Sequence, residues 1–204
     1  KLFEEGIRLS PQKMRSVFQD YILPDDVLRT IDSYQDYFEK FENTVTFIDN
    51  VRNSYGIYKT IRDYAEKNGN YFDKNGELLP MQDIQSNRES YSFRINHYIP
   101  NDPDEYVIVI TDHLSLMTPQ KDEGTVHAAI NNYSSNYCLH MRDRFKYNIV
   151  NVHQQVASQE ELKFDNKGKM LIDKLRPSVD GLADSKYTSK DCNLLLGLFA
   201  PYRY

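Results

Sequence analysis

The stretch that most constrains the fold is residues 105–118, EYVIVITDHLSLMT. Five apolar residues at 106–110 follow the turn-forming NDPD, a pattern typical of a strand buried on both faces of a parallel sheet. Asp112 stands where this strand ends. Because a carboxylate is costly to bury unpaired, Asp112 is expected to meet solvent, a cation or a partner in the crevice outside the sheet. Two interpretations stay open, namely a cap for the next segment and a ligand for Mg²⁺ or another molecule.

A second apolar strand is predicted at residues 149–155, IVNVHQQ. A helix is predicted between the two strands, over about residues 125–145, because apolar side chains recur along one side of it. These side chains are Val126, Ile130, Tyr133, Tyr137 and Met141. A strand, crossover helix and strand unit is right-handed with parallel strands, so both strand ends should open on the same side. We therefore expect Asp112 and Gln154 to lie in one crevice.

Charge limits the kinds of nucleic-acid contact that the chain can make. The net charge is -5, which argues against nonspecific binding of polyanions by the whole surface. Any such contact must come from a local basic patch. Residues 162–176 give the best candidate, since cations outnumber acids around an Asn166-Lys167-Gly168 turn. The cations are Lys163, Lys167, Lys169, Lys174 and Arg176. A solvated charged hairpin is the alternative interpretation.

Several classes of protein are disfavoured by composition. Cys138 and Cys192 are the only cysteines, so neither a disulfide framework nor a four-cysteine zinc site is possible, and we expect two small core residues in a reducing cytoplasm. The five histidines lack the spacing of a metal site. Neither a run of about 18 apolar residues nor a signal-peptide pattern is present, so we expect no membrane span.

The remaining segments alternate between helix and strand signals. Helices are predicted after Ser10-Pro11 and after Asp25-Asp26, and a further helix over residues 54–67. Strands are predicted at residues 44–50, TVTFIDN, and at 91–100, where apolar positions alternate from Tyr91 to His97 and Pro100 ends the strand. An Asn75-Gly76 turn between them predicts a small hairpin. This order predicts an α/β fold over residues 44–204 behind a helical segment at 1–43.

Three segments, taken in order, resemble the RecA-like motor domain of DnaB-type replicative helicases. Residues 112–117, DHLSLM, follow an apolar strand and are similar to the Walker B segment of that family. Residues 151–154, NVHQ, are similar to the strand that ends in the nucleotide-sensing Gln of the family. From residue 176 the match continues with unchanged spacing through Leu182 and Asp191 into a third predicted strand at residues 194–196, LLL.

The resemblance implies a mostly parallel RecA-like sheet of the P-loop NTPase type, flanked by helices, with an insertion at residues 72–100. It implies ATP hydrolysis coupled to movement on single-stranded DNA, with Mg²⁺ as a cofactor. It also implies a ring-shaped homo-oligomer in a bacterial or phage-infected cytoplasm. Asp112 would orient Mg²⁺-bound water with His113 beside the nucleotide, and Gln154 would sense the γ-phosphate. The 162–176 segment would line the DNA path.

One motif of that family is missing. A P-loop needs the pattern GxxxxGK[ST], and none of the eight glycines satisfies it. Gly168-Lys169 fails because Met170 follows it and Lys163 stands where the first glycine is required. The family places that loop before the region that matches, so we expect this chain to be the carboxyl part of a motor that does not hydrolyse ATP by itself. The alternative is a noncatalytic RecA-like module that assembles with or regulates a complete motor.

Two further positions depart from the family. Ser189 stands where an acid is usual, and Arg203 is displaced from the place of the expected arginine, so no arginine finger is assigned. Asp191 matches an acidic position of the family. It is either a buried acid that supports the site or a residue that begins a strand, and we favour a structural role.

Overall fold

The computed structural model describes residues 23–156, 158, 161–182 and 185–199. The chain divides into two compact units, Lys1–Ile48 and Asp49–Tyr204. The predicted helix after Ser10 lies outside the described residues. The fold is mixed α/β, with helices and two small sheets, one of them antiparallel. None of the helices in the described part is long and apolar enough to cross a bilayer.

The described part of the first unit contains α1 (Asp25–Asp32) and α2 (Gln35–Thr44). Acidic residues in the first turn of α1 face the positive end of the helix dipole, as the sequence predicts. The predicted strand at residues 44–50 is wrong. Thr44 belongs to α2, where its hydroxyl donates to the Lys40 carbonyl, and the residues after it have no strand partner among those described.

In the second unit, helix α3 (Ser54–Lys67) leads into an antiparallel sheet. The sheet has the order β2-β1-β3, with β1 Gly69–Phe72, β2 Leu78–Leu79 and β3 His97–Pro100. The predicted Asn75-Gly76 turn joins β1 to β2, with Gly76 at a φ of 80°. Gly69 permits a close approach, since a Cβ there would lie 2.3 Å from the Tyr98 hydroxyl.

Two short helices, α4 (Met81–Ser86) and α5 (Arg88–Ser92), lie between β2 and β3. The strand predicted from residue 91 to Pro100 is therefore confirmed only over β3, and its first part is wrong, because α5 extends to Ser92. The alternating apolar positions are overridden locally by Asn87, whose side chain accepts a hydrogen bond from the Ser90 N–H and caps α5. As a result Phe93, which the alternation assigns to a buried face, is 95% exposed.

The second sheet is a parallel pair, β4 (Ile108–Thr111) and β5 (Asn148–Asn151). The connection runs through α6 (Val126–Asn132), a π-helical turn (Tyr133–Cys138) and α7 (Leu139–Phe145). This confirms the predicted helix over residues 125–145. The apolar side of that helix lies in the main core, together with α3 and the inner sides of both sheets.

Burial of the parallel pair differs from the prediction. Val109 and Ile149 pack against the core, but Ile108 and Ile110 are 53% and 66% exposed. Only one face of the pair is therefore covered, because the described residues place no second layer on the other. The predicted strand at residues 194–196 is also wrong, since these leucines are exposed and have no described strand beside them.

The cysteine prediction is half right. Cys138 is buried in the core, whereas Cys192 is exposed just after the last described helix, α8 (Thr188–Asp191).

Candidate functional site

The carboxyl ends of β4 and β5 lie side by side. Thr111 is opposite Asn151, and the pairing continues past both strands through Val152 N–H to Thr111 O (3.0 Å) and Leu114 N–H to Val152 O (3.1 Å). The prediction that these strands are parallel neighbours is confirmed. The segments that carry Asp112 and Gln154 therefore leave the sheet at the same end.

Asp112 is the more open of the two candidate residues. Its side chain is 73% exposed, and its Oδ1 lies 4.0 Å from Nδ1 of the half-buried His113. The peptide bond between these residues is cis. Beyond them a 3₁₀ turn (Leu114–Leu116) places Leu114 in the core and so fixes the exit from β4. An exposed carboxylate held on a fixed backbone can accept a cation or a hydrogen-bond donor from outside the chain.

The exit from β5 is fixed by side-chain contacts. Nε2 of His153 lies 2.9 Å from the Thr188 hydroxyl, which ties this exit to α8. Gln154 itself is exposed. On either side of it, Asn151 Oδ1 and Gln155 Oε1 are buried and have no hydrogen-bond partner among the described residues. The sequence prediction missed Asn151 and Gln155, although polar residues that alternate with Val150 and Val152 could have indicated them.

The basic hairpin, residues 162–176, lies in the excursion of the chain that follows this same exit. Val156 N–H donates to Gly181 O (2.8 Å), and Gln155 forms a β-bridge with Leu182, so both ends of the excursion meet beside Gln154. Within it, Phe164 bridges Met170 and Gly168 adopts a φ of 77°. The predicted turn around Asn166-Lys167-Gly168 is thereby confirmed.

The lysine side chains of the hairpin face solvent, whereas its acids have partners within the hairpin. Asp165 is used internally, because its Oδ1 accepts from the backbone N–H groups of Lys167 (2.8 Å) and Lys169 (2.9 Å). Arg176 pairs with Asp173 at 3.1 Å, which reduces the free positive charge at that end. The remaining cations form no ion pair within the described chain. They are Lys163, Lys167, Lys169 and Lys174, all exposed.

Asp191 serves the packing of α8 onto the π-helical turn. Its Oδ2 accepts hydrogen bonds from the hydroxyls of Ser134 (2.7 Å) and Ser135 (2.8 Å). Arg142 adds a bond from its guanidinium to the Asp191 carbonyl at 3.2 Å. These contacts match the structural role favoured for Asp191.

Glu123 anchors the loop that follows β4, and the sequence prediction did not single it out. Its carboxylate accepts from Ser54 Oγ (2.5 Å), Asn132 Nδ2 (2.7 Å) and the Gln120 N–H (2.7 Å). Burial opposes ionisation of this carboxyl, but these hydrogen bonds together hold its pKa below the ordinary value. The spacing of Gln120 and Glu123 is the only local signal for this contact.

Metal chemistry would have to rely on few protein ligands. In the part of the chain that the structure describes, no three His, Cys, Asp or Glu side chains are grouped so that they could hold an ion. Asp112 therefore stands as a single exposed carboxylate.

Searches of protein-family models, curated proteins and solved structures each return no match to this chain.

Proposed function

We propose that this chain forms part of a RecA-like ATP-dependent DNA helicase motor of the DnaB type, in which it contributes the Walker B and sensor strands and a loop that contacts single-stranded DNA. The observation that carries the proposal is the parallel pair β4 and β5, from whose adjacent carboxyl ends Asp112 and Gln154 emerge. Ligands of open α/β sheets bind at such ends. The rest of the RecA-like sheet is part of the proposal.

Asp112 fits the requirements of Mg²⁺. This ion prefers oxygen ligands and in phosphate-transferring sites needs only one or two carboxylates in addition to phosphate oxygens and water. A single carboxylate, 73% exposed at a strand end, meets that requirement. Bound ATP with Mg²⁺ would supply the phosphoryl group and the charge that polarises it.

The residues of this chain do not provide a cradle for the phosphates. That cradle needs consecutive backbone N–H groups and a Lys, and the sequence holds no GxxxxGK[ST]. We therefore expect the 204-residue chain to bind ATP with Mg²⁺ weakly or not at all. Calorimetric titration measures this directly, and tight Mg²⁺-dependent binding would contradict the expectation.

Gln154 is suited to report on a nearby anion. Its exposed amide can donate to a phosphate oxygen, and its backbone lies next to the paired stem of the basic hairpin. The paired stem, where Gln155 bridges Leu182 and Val156 donates to Gly181, connects Gln154 with the segment that contains residues 162–176. This arrangement supports coupling between the nucleotide and DNA sites.

The hairpin supplies the DNA-contacting groups. Four exposed lysines, which form no ion pair with the described residues, lie between residues 163 and 174, in a chain whose net charge is -5. Long cationic side chains of this kind can follow a phosphate backbone without reading bases. We expect contacts to phosphate, with little dependence on DNA sequence.

The decisive experiment uses the protein encoded by the complete gene. Asp112→Asn should lower DNA-stimulated ATP hydrolysis roughly 100-fold or more, because one charge that acts on the metal is lost. The matched control is Asp122→Asn, an exposed acid in the loop after β4. Equal activity of the two variants would overturn the role of Asp112.

The noncatalytic alternative is favoured by the missing P-loop and predicts a different outcome. A complete gene without a P-loop upstream, whose product does not hydrolyse ATP yet assembles with a separate motor, would establish it. In that case Asp112→Asn should leave the activity of the assembled motor unchanged.

A further inference from the structure

A small cleft lies on the antiparallel side of the second unit, between helix α7 and the residue that precedes β3. Its volume is about 290 Å³, and it is lined by Asn96, Leu139, His140, Asp143 and Arg144. None of these residues belongs to the exits of β4 and β5, so the cleft is separate from the proposed nucleotide site. Its size is near the lower limit of small-molecule sites.

Arg144 is the only cation in this lining that is permanently charged. It is half-buried, and within the described chain it forms neither a hydrogen bond nor an ion pair. The groups that sense its charge are the neutral side chains of Tyr58, Tyr71 and His140. A guanidinium carries five N–H donors in a planar fork that matches phosphate and carboxylate. Arg144 thus lacks an anion on the inner side of the cleft.

His140 adds a neutral donor. Its Nδ1 lies 3.2 Å from the hydroxyl of Tyr58, a phenol whose pKa is raised by burial, and we assign this hydroxyl as the donor to Nδ1. Burial, together with Arg144 and Arg62, lowers the pKa of His140 to about 4, whereas Asp143 acts in the opposite direction. The imidazole is therefore neutral at pH 7, with its hydrogen on Nε2.

The acid in the lining, Asp143, already has a cationic partner. Asp143 accepts from Arg142 Nε at 2.8 Å and from Arg142 Nη2 at 3.3 Å, which holds its pKa below the ordinary value. Asn96 adds an exposed amide, whose nitrogen lies 3.3 Å from His97 Nδ1. Donors consequently outnumber available acceptors in the cleft.

We propose that the cleft binds a phosphate group, with the Arg144 guanidinium as the main ligand and His140 Nε2–H and the Asn96 amide as neutral donors. The bidentate fork of an arginine and two neutral donors suit a tetrahedral oxyanion. The volume of about 290 Å³ accommodates a phosphate group.

The test follows the ring-proton NMR signal of His140 in the 204-residue chain during titration with inorganic phosphate at constant ionic strength. We expect a saturable shift of this signal, and a rise in the titration midpoint of His140, because a bound anion favours the imidazolium. Arg144→Gln should weaken phosphate binding roughly 10- to 100-fold, as expected when a charged hydrogen-bond partner is removed. Arg144→Lys keeps the charge but loses the planar fork of donors. Its phosphate affinity should lie between those of the wild type and Arg144→Gln.

The control is Lys121→Gln, which removes one positive charge from an exposed loop outside the cleft. It should leave phosphate affinity unchanged. Equal weakening in Arg144→Gln and Lys121→Gln, or the same shift with chloride alone, would overturn the site, because Arg144 would then only complement the dipole at the end of α7. Thermal unfolding of each variant checks that the fold is intact, and Asn96→Ala gives a second variant on another element.

The source of the phosphate is distinguished by two further titrations. Adenosine monophosphate supplies a terminal phosphate, and an oligothymidylate without terminal phosphates supplies only diesters. Saturable binding of either at the His140 signal, lost in Arg144→Gln, supports the site and identifies its source. Failure of both, together with failure of inorganic phosphate, would refute it.

Discussion

The two sheets of the second unit differ in how deeply their inner faces are buried, although both expose apolar residues on the outer face, Leu78 and Ile99 among them in the antiparallel sheet. In the antiparallel sheet, Tyr71, Leu79 and Tyr98 all face the core and are at most 7% exposed. In the parallel pair, Ile108 and Ile110 remain more than half exposed on the outer face. The antiparallel sheet thus contributes mainly to stability, whereas the parallel pair has an inner face that packs and an outer face and edges that the described chain leaves open.

This difference shows what strand composition can and cannot indicate. An apolar run at residues 106–110 fits a strand that could be covered on both faces, but coverage depends on what the rest of the chain supplies. Stability and the candidate site are consequently separated in space. Substitutions in the antiparallel sheet should change the free energy of unfolding, and those at the open end of the parallel pair should change binding.

The largest effect is expected when similar aliphatic groups are removed from the two sheets and the losses in the free energy of unfolding are compared. Leu79→Ala should lower the free energy of unfolding by about 2 to 4 kcal/mol, because it leaves a cavity in a packed core. Ile110→Ala should change it by about 0.5 kcal/mol or less, since that side chain is 66% exposed. Urea unfolding followed by circular dichroism measures both. Similar losses would mean that the outer face of β4 is covered in solution.

The next effect concerns His140, which is half-buried on α7 beside Tyr58. Its pKa of about 4 in the folded chain lies below the ordinary value of 6.5. The folded state therefore binds fewer protons than the unfolded state between these values, and stability should fall as the pH drops from about 6.5 toward 4. We expect a loss of about 1 to 2 kcal/mol after allowance for solvent screening.

The measurement for His140 is urea unfolding at several pH values in a buffer without phosphate. His140→Gln, which cannot gain a proton, should flatten the dependence between pH 6.5 and 4. His97→Gln is the control, because His97 is exposed on β3. If His97→Gln flattens the curve and His140→Gln does not, burial of His140 is not the cause.

A third effect tests how the loop after β4 is held. Glu123→Gln should lower the free energy of unfolding at pH 7 by about 1 to 2 kcal/mol, because a charged acceptor of three hydrogen bonds is lost. The pKa of Glu123 is lowered in the folded chain, so the stabilisation is present above the ordinary value of 4.5 and is lost as the pH falls through the folded pKa.

The difference between wild type and Glu123→Gln should therefore shrink at acidic pH. Parallel unfolding curves at pH 7 and pH 3.5 measure the change. Glu77→Gln, a substitution of an exposed acid in the hairpin between β1 and β2, should have little effect at either pH. A constant difference for Glu123→Gln across this range would argue against its ionised role.

The smallest effect on folding should come from the basic hairpin. Replacing Lys163, Lys167 and Lys169 together by Gln should change the free energy of unfolding by at most about 0.5 kcal/mol per substitution, because the side chains are exposed. In the protein from the complete gene, single-strand binding should weaken alike for different sequences. Each lost phosphate contact should reduce the log-log salt slope by roughly 0.7.

A matched triple variant away from the hairpin is Lys59, Lys74 and Lys121 to Gln, which removes the same charge from exposed positions. It should leave the salt slope nearly unchanged. If both triple variants behave alike, or neither changes affinity, the hairpin is a solvated turn and the DNA path lies elsewhere.

The sequence predicted those features that depend on local chemistry. The turns at Gly76 and Gly168 and the helix over residues 126–145 follow from glycine conformation and from 3.6-residue periodicity. The parallel pairing of β4 with β5 followed from the length of the crossover between them. For the candidate site, the exits at Asp112 and Gln154 were likewise predicted from strand ends.

Features that depend on distant partners were not predictable. The start of the segment at 91–100 is a different case, because the signal there is local: the Ser90 N–H donates to the Asn87 side chain, which caps α5, and the alternation at residues 91–97 concealed this helix. The apolar residues at 194–196 could form a strand only beside another strand, and the described chain provides none there. Glu123 also binds Ser54 and Asn132, so its spacing from Gln120 alone does not reveal its role, and the cleft at Arg144 includes Asn96 from outside α7.

The closed stem beside Gln154 has a consequence for how the chain can vary. Because Val156 and Gly181 are already joined by a backbone bond, residues between them form a loop whose closure cost depends only weakly on length. Doubling such a loop costs about 0.6 kcal/mol of closure entropy. Insertions or deletions around the turn should therefore alter the reach of its lysines far more than they alter the thermodynamics of the domain that carries them.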